Sequence, residues 1–219
     1  MKPVVFAKAL TLSLALSLSA GSAGQAATIV NGGFEDSGGF SGAFVSIGAG
    51  SLSLPGWTIL GNGVDLINTY WQASEGGFSL DLNGLGNGGI RQTLAGLAVG
   101  RLYTISFDIS GNPDGSPDLK SVSVMAGSSF GVYSYDVALS GTTRTDMAWQ
   151  SRGFSFLAES SSLDLTFIAT DVSNSAYGAA IDNIAISLVP VPVPATGGIL
   201  LGGLGLIGLL RRRRGWGLR

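Results

Sequence analysis

"LYTISFDIS", Leu102 to Ser110, decides how the rest of the chain is read. Tyr103, Ile105, Phe107 and Ile109 fall on one side of an extended backbone, and Thr104, Ser106 and Asp108 fall on the other. Side chains of a strand alternate between its two faces, so this spacing predicts a half-buried antiparallel strand. The same period recurs further along. "SVSVMAG" carries Val122, Val124 and Ala126; "RGFSFLA" carries Phe154 and Phe156; "SLDLTFIAT" carries Leu163, Leu165, Phe167 and Ala169. "AAIDNIAISLV" adds Ile184, Ile186 and Leu188, and "GVDLIN", "GFSLDLN" and "GIRQTL" are three shorter candidates upstream. Gly, Asn, Asp, Ser and Pro separate them, as in "GNPDGSPD" (Gly111 to Asp118) and "NGLGNGG" (Asn83 to Gly89), which is turn chemistry. No window shows a convincing amphipathic helix. Eight or more strands in roughly 160 residues predict an all-β fold, a jelly-roll β-sandwich.

The two ends of the chain read differently. Residues 1–27 begin with Lys2 and Lys8, continue with a short Ala/Leu/Ser run from Ala9 to Leu18, and end in small residues, with a cut expected after Ala26 or Ala27. That is the pattern of a secretory signal peptide. At the other end, Pro190, Pro192 and Pro194 precede an apolar run from Ala195 to Leu210, and Arg211, Arg212, Arg213 and Arg214 stop it. As a helix this run would span about 24 Å against a hydrocarbon core of about 30 Å, a marginal membrane span suited to transient anchoring. The arginines resist translocation, so the expected topology puts them in the cytoplasm and the body of the chain outside.

Between the ends, residues 28–189 form one domain's worth of chain. They hold all 14 acidic residues of the protein against Arg91, Arg101, Lys120, Arg144 and Arg152, so the body carries a net charge near −9. An acidic surface disfavours nucleic acid and anionic membrane as partners and suits divalent cations and neutral sugars. The chain has no Cys and no His. That excludes disulfides, Cys nucleophiles, Ser-His-Asp triads and His- or Cys-ligated zinc or haem. No local motif singles out two of the acids as a hydrolytic pair.

The C-terminal order of Pro box, short Gly/Leu-rich helix and Arg cluster resembles the PEP-CTERM sorting signal of Gram-negative bacteria. The box Val191, Pro192, Val193, Pro194 and Ala195 resembles its VPLPA variant, although the commonest form has Glu where Val193 stands. The resemblance implies recognition, and cleavage near the box, by an exosortase at the inner membrane of a host that makes extracellular polysaccharide. In the body, "NGGFE" (Asn31 to Glu35), "LPGWTI", "GNGVDLINTYW", "ASEGGFSLDLNG", "GGIRQTLAGLAVGRLYTISFDISGN" and "AAIDNIAIS" follow one another in an order similar to the "choice-of-anchor C" family. They are also similar to plant cell-wall proteins with galactose-binding-like domains and, more distantly, to jelly-roll carbohydrate-binding modules. The resemblance to those modules implies that Glu35 and Asp182 hold a structural Ca²⁺, with backbone carbonyls completing the shell. The same two residues could instead cap a turn and accept backbone N–H groups.

A sugar site on a β-sandwich needs aromatic faces for the C–H surfaces of the ring and planar polar side chains for its hydroxyls. Tyr70 and Trp71, in the loop-like "NTYWQASEGG", are the candidate platform, with Asp65, Asn83 and Arg91 as polar partners. Trp57, Tyr133, Tyr135 and Trp149 are further aromatic candidates, although Trp57, inside an apolar stretch, reads as core, and Trp71 could be core as well. The expected function is that of an exported surface or matrix protein, sorted by an exosortase and binding extracellular polysaccharide without catalysis. The alternatives are a structural protein acting by protein–protein association and, behind it, a polysaccharide hydrolase.

Overall fold

The computed structural model describes residues 27–191, and within them eleven strands and one helical turn. Two antiparallel sheets face each other. The six-stranded sheet runs β1 (Phe44–Ile47), β3 (Val64–Ile67), β4 (Ser79–Asp81), β11 (Ala179–Leu188), β6 (Leu102–Gly111), β9 (Gln150–Leu157). The five-stranded sheet runs β2 (Thr58–Gly61), β5 (Gly88–Ala95), β10 (Ser162–Ala169), β7 (Leu119–Ala126), β8 (Ser129–Asp136). This is the all-β sandwich that the alternation predicts. The helical turn α1 (Val137–Ser140) is capped by Asp136, whose side chain accepts from the Leu139 N–H, and closed by Gly141 at φ 65°.

Alternate residues of facing strands fill a single core. Ile105, Phe107 and Ile109 of β6 meet Val122 and Val124 of β7 and Leu165 and Phe167 of β10. Phe107 packs edge-on to Phe167 with ring centroids 5.2 Å apart, and edge-on to Tyr133 at 5.1 Å. Trp57 lies in this core at 2% exposure and donates its indole N–H to the Asn31 carbonyl at 2.9 Å. Tyr135 is likewise buried, its hydroxyl bonded to Thr142 and to the Met147 carbonyl. Neither ring is available to a ligand.

The outer face of the six-stranded sheet departs from the expected wet side. Asp108 and Ser110 of β6, Ser79 and Asp81 of β4 and Asp182 of β11 are buried there. Two segments cover them: the one that follows β3 and the one that precedes β9. Ile67, Trp71, Met147 and Ala180 form a second, smaller apolar cluster, with Tyr70 and Trp149 packed against it.

The expected signal peptide up to residue 26, the membrane segment, Arg211 to Arg214 and every residue of the sorting box except Val191 lie outside the described residues; Ala27 packs against the main core and Val191 is exposed. Among the described residues no helix is long and apolar enough to cross a membrane.

Candidate functional site

β3 sends Val64 and Leu66 into the main core, so its alternate residues Asp65 and Ile67 lie on the covered outer face. Trp71 is 4% exposed and donates its indole N–H to Ser79 Oγ at 2.8 Å, which fixes the covering segment to β4. Tyr70 is half-buried beside it. Its ring stands edge-on to Phe44 at 5.1 Å and tilted to Trp71 at 5.9 Å. The Arg144 guanidinium lies 4.0 Å above the Tyr70 ring, donates to its hydroxyl at 2.5 Å, and pairs with Asp114 at 2.9 Å. A cavity of about 220 Å³ lies among Phe44, Asp65, Tyr70, Trp71, Asn112 and Tyr177. Aromatic rings with a few convergent polar groups are the make-up of a small-ligand pocket, and this one is smaller than the usual drug-sized cleft.

Asp65 and Asp81 share the cross-strand position between β3 and β4 but differ in their partners. Asp81 accepts from the Asn83 N–H at 2.9 Å, the Gly178 N–H at 3.2 Å and the Asn112 amide at 2.8 Å. Burial nevertheless pushes its carboxyl up to about 7, against the pull of those bonds and with the nearby Asp65 charge adding to the rise. Asp65 Oδ1 is sealed from solvent and has no hydrogen-bond partner. Burial raises this carboxyl too, and the Ser46 hydroxyl opposes the rise. Asp81 is fully buried and engaged by donors within the protein.

Glu35 and Asp182 converge on one turn. Glu35 Oε1 accepts from the Gly77 and Phe78 N–H groups at 2.9 and 3.0 Å, and Asp182 Oδ2 accepts from Ser74 and Glu75 at 2.8 and 3.0 Å. Asp182 Oδ1 takes the Asn183 N–H at 2.7 Å. Burial raises Asp182 to about 7; the backbone bonds oppose this, and the neighbouring Glu35 charge reinforces it. The glycines of "NGGFE" permit this closeness. A Cβ on Gly32 would lie 2.0 Å from the Ile184 carbonyl oxygen, and one on Gly33 would come 3.0 Å from Glu75 Oε2. Among the described residues no three Asp or Glu side chains are arranged to hold a metal ion, so an ion here would draw its remaining oxygens from backbone carbonyls.

A family model described as "Protein of unknown function (DUF642)" matches residues 27–187. The chain belongs to the DUF642 family. A curated relative of this DUF642 chain is halomucin of Haloquadratum walsbyi (strain DSM 16790 / HBSQ001), 30% identical over 168 residues. The match takes in 75% of the chain but only 2% of halomucin's length. Among solved structures, a cyclase from Fischerella sp. TAU in complex with 4-(1H-indol-3-yl)butan-2-one is similar at a TM-score of 0.48 and 20% identity, covering 77% of this chain and 100% of that one. The carbohydrate-binding module TmCBM61, in complex with β-1,4-galactotriose, gives 0.46 and 14%, over 73% and 96% of the two chains. The CBM22-1 xylan-binding domain of Paenibacillus barcinonensis Xyn10C gives 0.45 and 18%, over 68% and 94%.

In the DUF642 domain, Asp65, Tyr70 and Trp71 come together, and Asn83 and Arg91 lie elsewhere. Asn83 is buried in a structural network, its amide donating to Asp171 at 3.1 Å and to the Ser175 carbonyl at 2.6 Å. A Cβ on Gly178 would lie 2.3 Å from Asn83 Cγ, so the loop before β11 closes directly over it. Arg91 is on the solvent face of β5 in the other sheet, 3.7 Å from Asp164. Phe44, Asn112 and Tyr177 complete the cavity and are the residues that sequence reasoning missed. They come from three loops or short strands far apart in the chain, and only the Asn in "DISGN" hinted at a polar group at the end of β6.

Proposed function

We propose that this is an exported, non-catalytic protein of the cell surface or extracellular matrix of a Gram-negative bacterium, which binds carbohydrate through the Asp65 cavity. The observation that carries the reading is the cavity itself. Phe44, Tyr70, Trp71 and Tyr177 offer apolar ring surface, and Asp65 and Asn112 offer hydrogen-bonding groups, on one covered sheet face. The test is affinity chromatography of the full-length protein on immobilised polysaccharides together with a glycan array. Retention is expected for wild type and its loss for Tyr70→Ala; equal retention of the two would remove the cavity from the function.

The export reading rests on the terminal sequences: a signal peptide over residues 1–27, and a sorting tail over 190–219 that an exosortase would recognise after transient lodging in the inner membrane. Intact mass of the secreted form checks both cuts together. A mass matching the uncut chain would overturn the sorting reading.

The proposal includes a structural Ca²⁺ at Glu35 and Asp182. Two converging carboxylates are hard oxygen donors, and the elevated Asp182 carboxyl is a charge in want of compensation. Association with another protein is the second reading. The observation that favours it is β8, an edge strand with Phe130 74% exposed and Val132 60% exposed.

A further inference from the structure

Among the described residues the Asp65 carboxylate has no cation partner. The two ion pairs among the described residues are Arg91–Asp164 and Arg144–Asp114. Lys120, the other basic group near this end of the sheet, donates to the Gly115 and Tyr177 carbonyls at 2.7 Å each. Asp65 therefore lines a cavity with Oδ1 sealed and unpaired, beside the rings of Phe44, Tyr70, Trp71 and Tyr177. Two larger depressions, about 380 Å³ and 310 Å³, have no charged side chain in their walls.

An anionic group next to several aromatic rings is the arrangement that recognises an ammonium ion, because the ring faces attract positive charge and the carboxylate compensates it. Tyr70 already holds one cation, the Arg144 guanidinium, against its ring. That guanidinium is itself neutralised by Asp114, so it does not oppose a second positive charge nearby.

On the carbohydrate reading given above, we propose that the cavity takes a sugar ring bearing a protonated primary amine. The ligand class is a 2-amino-2-deoxyhexose within a partly de-N-acetylated polysaccharide. The ammonium sits on the Asp65 carboxylate, and the apolar face of the ring lies on the aromatic wall. N-acetylation replaces the charge with a bulkier neutral amide and leaves Asp65 uncompensated. The net charge of the body, near −9, draws a polycationic chain toward it at low salt.

The experiment is calorimetric titration of the full-length protein with three oligosaccharide sets of matched length: β-1,4-linked glucosamine, its N-acetylated counterpart, and a neutral gluco-oligosaccharide. Wild type should bind the amine form roughly tenfold more tightly than either of the others. Asp65→Asn should abolish that preference without changing the thermal midpoint appreciably. Equal or tighter binding of the neutral or acetylated set, lost on Tyr70→Ala, overturns the amine proposal and leaves the sugar site standing. An amine preference that survives Asp65→Asn assigns it to the acidic surface at large and also overturns the proposal. Absence of binding by all three sets, together with an empty glycan array, overturns the carbohydrate reading and this inference with it.

Discussion

Asp65 and Asp81 face each other across the β3–β4 ladder, and only one of them is satisfied. Asp81 is held by three donors within the protein; Asp65 turns the same chemistry toward a cavity. Like charges directly opposed on a sheet destabilise it. A fold that keeps such a pair spends stability at the place where the aromatic rings gather.

The two aromatic residues of the covering segment should separate on substitution. Tyr70→Ala removes a half-buried ring and its Arg144 contact, and should weaken glycan binding roughly tenfold with little change in thermal midpoint. Trp71→Ala empties the smaller cluster and breaks the bond to Ser79, and should cost about 3–5 kcal/mol by denaturant titration.

Acidification should stabilise the protein. Asp81 and Asp182 have folded-state values near 7 against an ordinary 3.8, so between those limits the folded state binds more protons than the unfolded one. Their contribution is fully present below the unfolded value and is lost as pH rises through the folded one. The slope is at most about 1.4 kcal/mol per pH unit for each group. Melting curves from pH 8 to pH 5, in chelator, should rise on the acid side, and Asp81→Asn should flatten them. Asp108 has the opposite sign. Burial alone would raise it, but bonds from Ser151, Ser74 and Asn183 outweigh burial and lower it, so its contribution fades only in stronger acid.

Lys120 is fully buried, with its ammonium shared between the Gly115 and Tyr177 carbonyls. Lys120→Met keeps the stem and leaves both carbonyls unpaired. The expected loss is about 3 kcal/mol, and glycan affinity should fall with it because Tyr177 borders the cavity. A stability loss with unchanged affinity would show that Tyr177 holds its place without Lys120.

Calcium is tested on protein first stripped with chelator. Millimolar Ca²⁺ should raise the thermal midpoint by several degrees, and Glu35→Gln should remove the rise. No rise in wild type would leave Glu35 and Asp182 as acceptors for the 74–78 turn alone.

Much of the fold was legible because β6, β7, β9, β10 and β11 each bury one face, which writes a period of two into the sequence. β1, β2 and β8 went unread for a physical reason. β1 and β2 each bury only one of their four residues, and β8 exposes Phe130 and Val132 on its solvent side, so their apolar residues do not mark one buried face. The site was half legible. Tyr70, Trp71 and Asp65 lie within seven residues, close enough for local pattern to join them. Asn112 and Tyr177 meet them only through the strand order β3-β4-β11-β6, which no local window contains. Arg91 misled because its side chain alternates outward on the other sheet, and Asn83 because a buried amide and a ligand-reading amide look alike in sequence.

β11 has a mechanical consequence. Ala176 and Tyr177, at the edge of the cavity, lie one residue short of its start, with Gly178 between, and the chain leaves toward the C-terminal tail after Leu188, about 30 Å away along the strand. Tension between a captured polymer and a tether on that tail would therefore run lengthwise through β11. Its ladder to β6, reaching from Ala179 to Leu188, would be loaded in shear, with many bonds resisting together, instead of being peeled open one rung at a time.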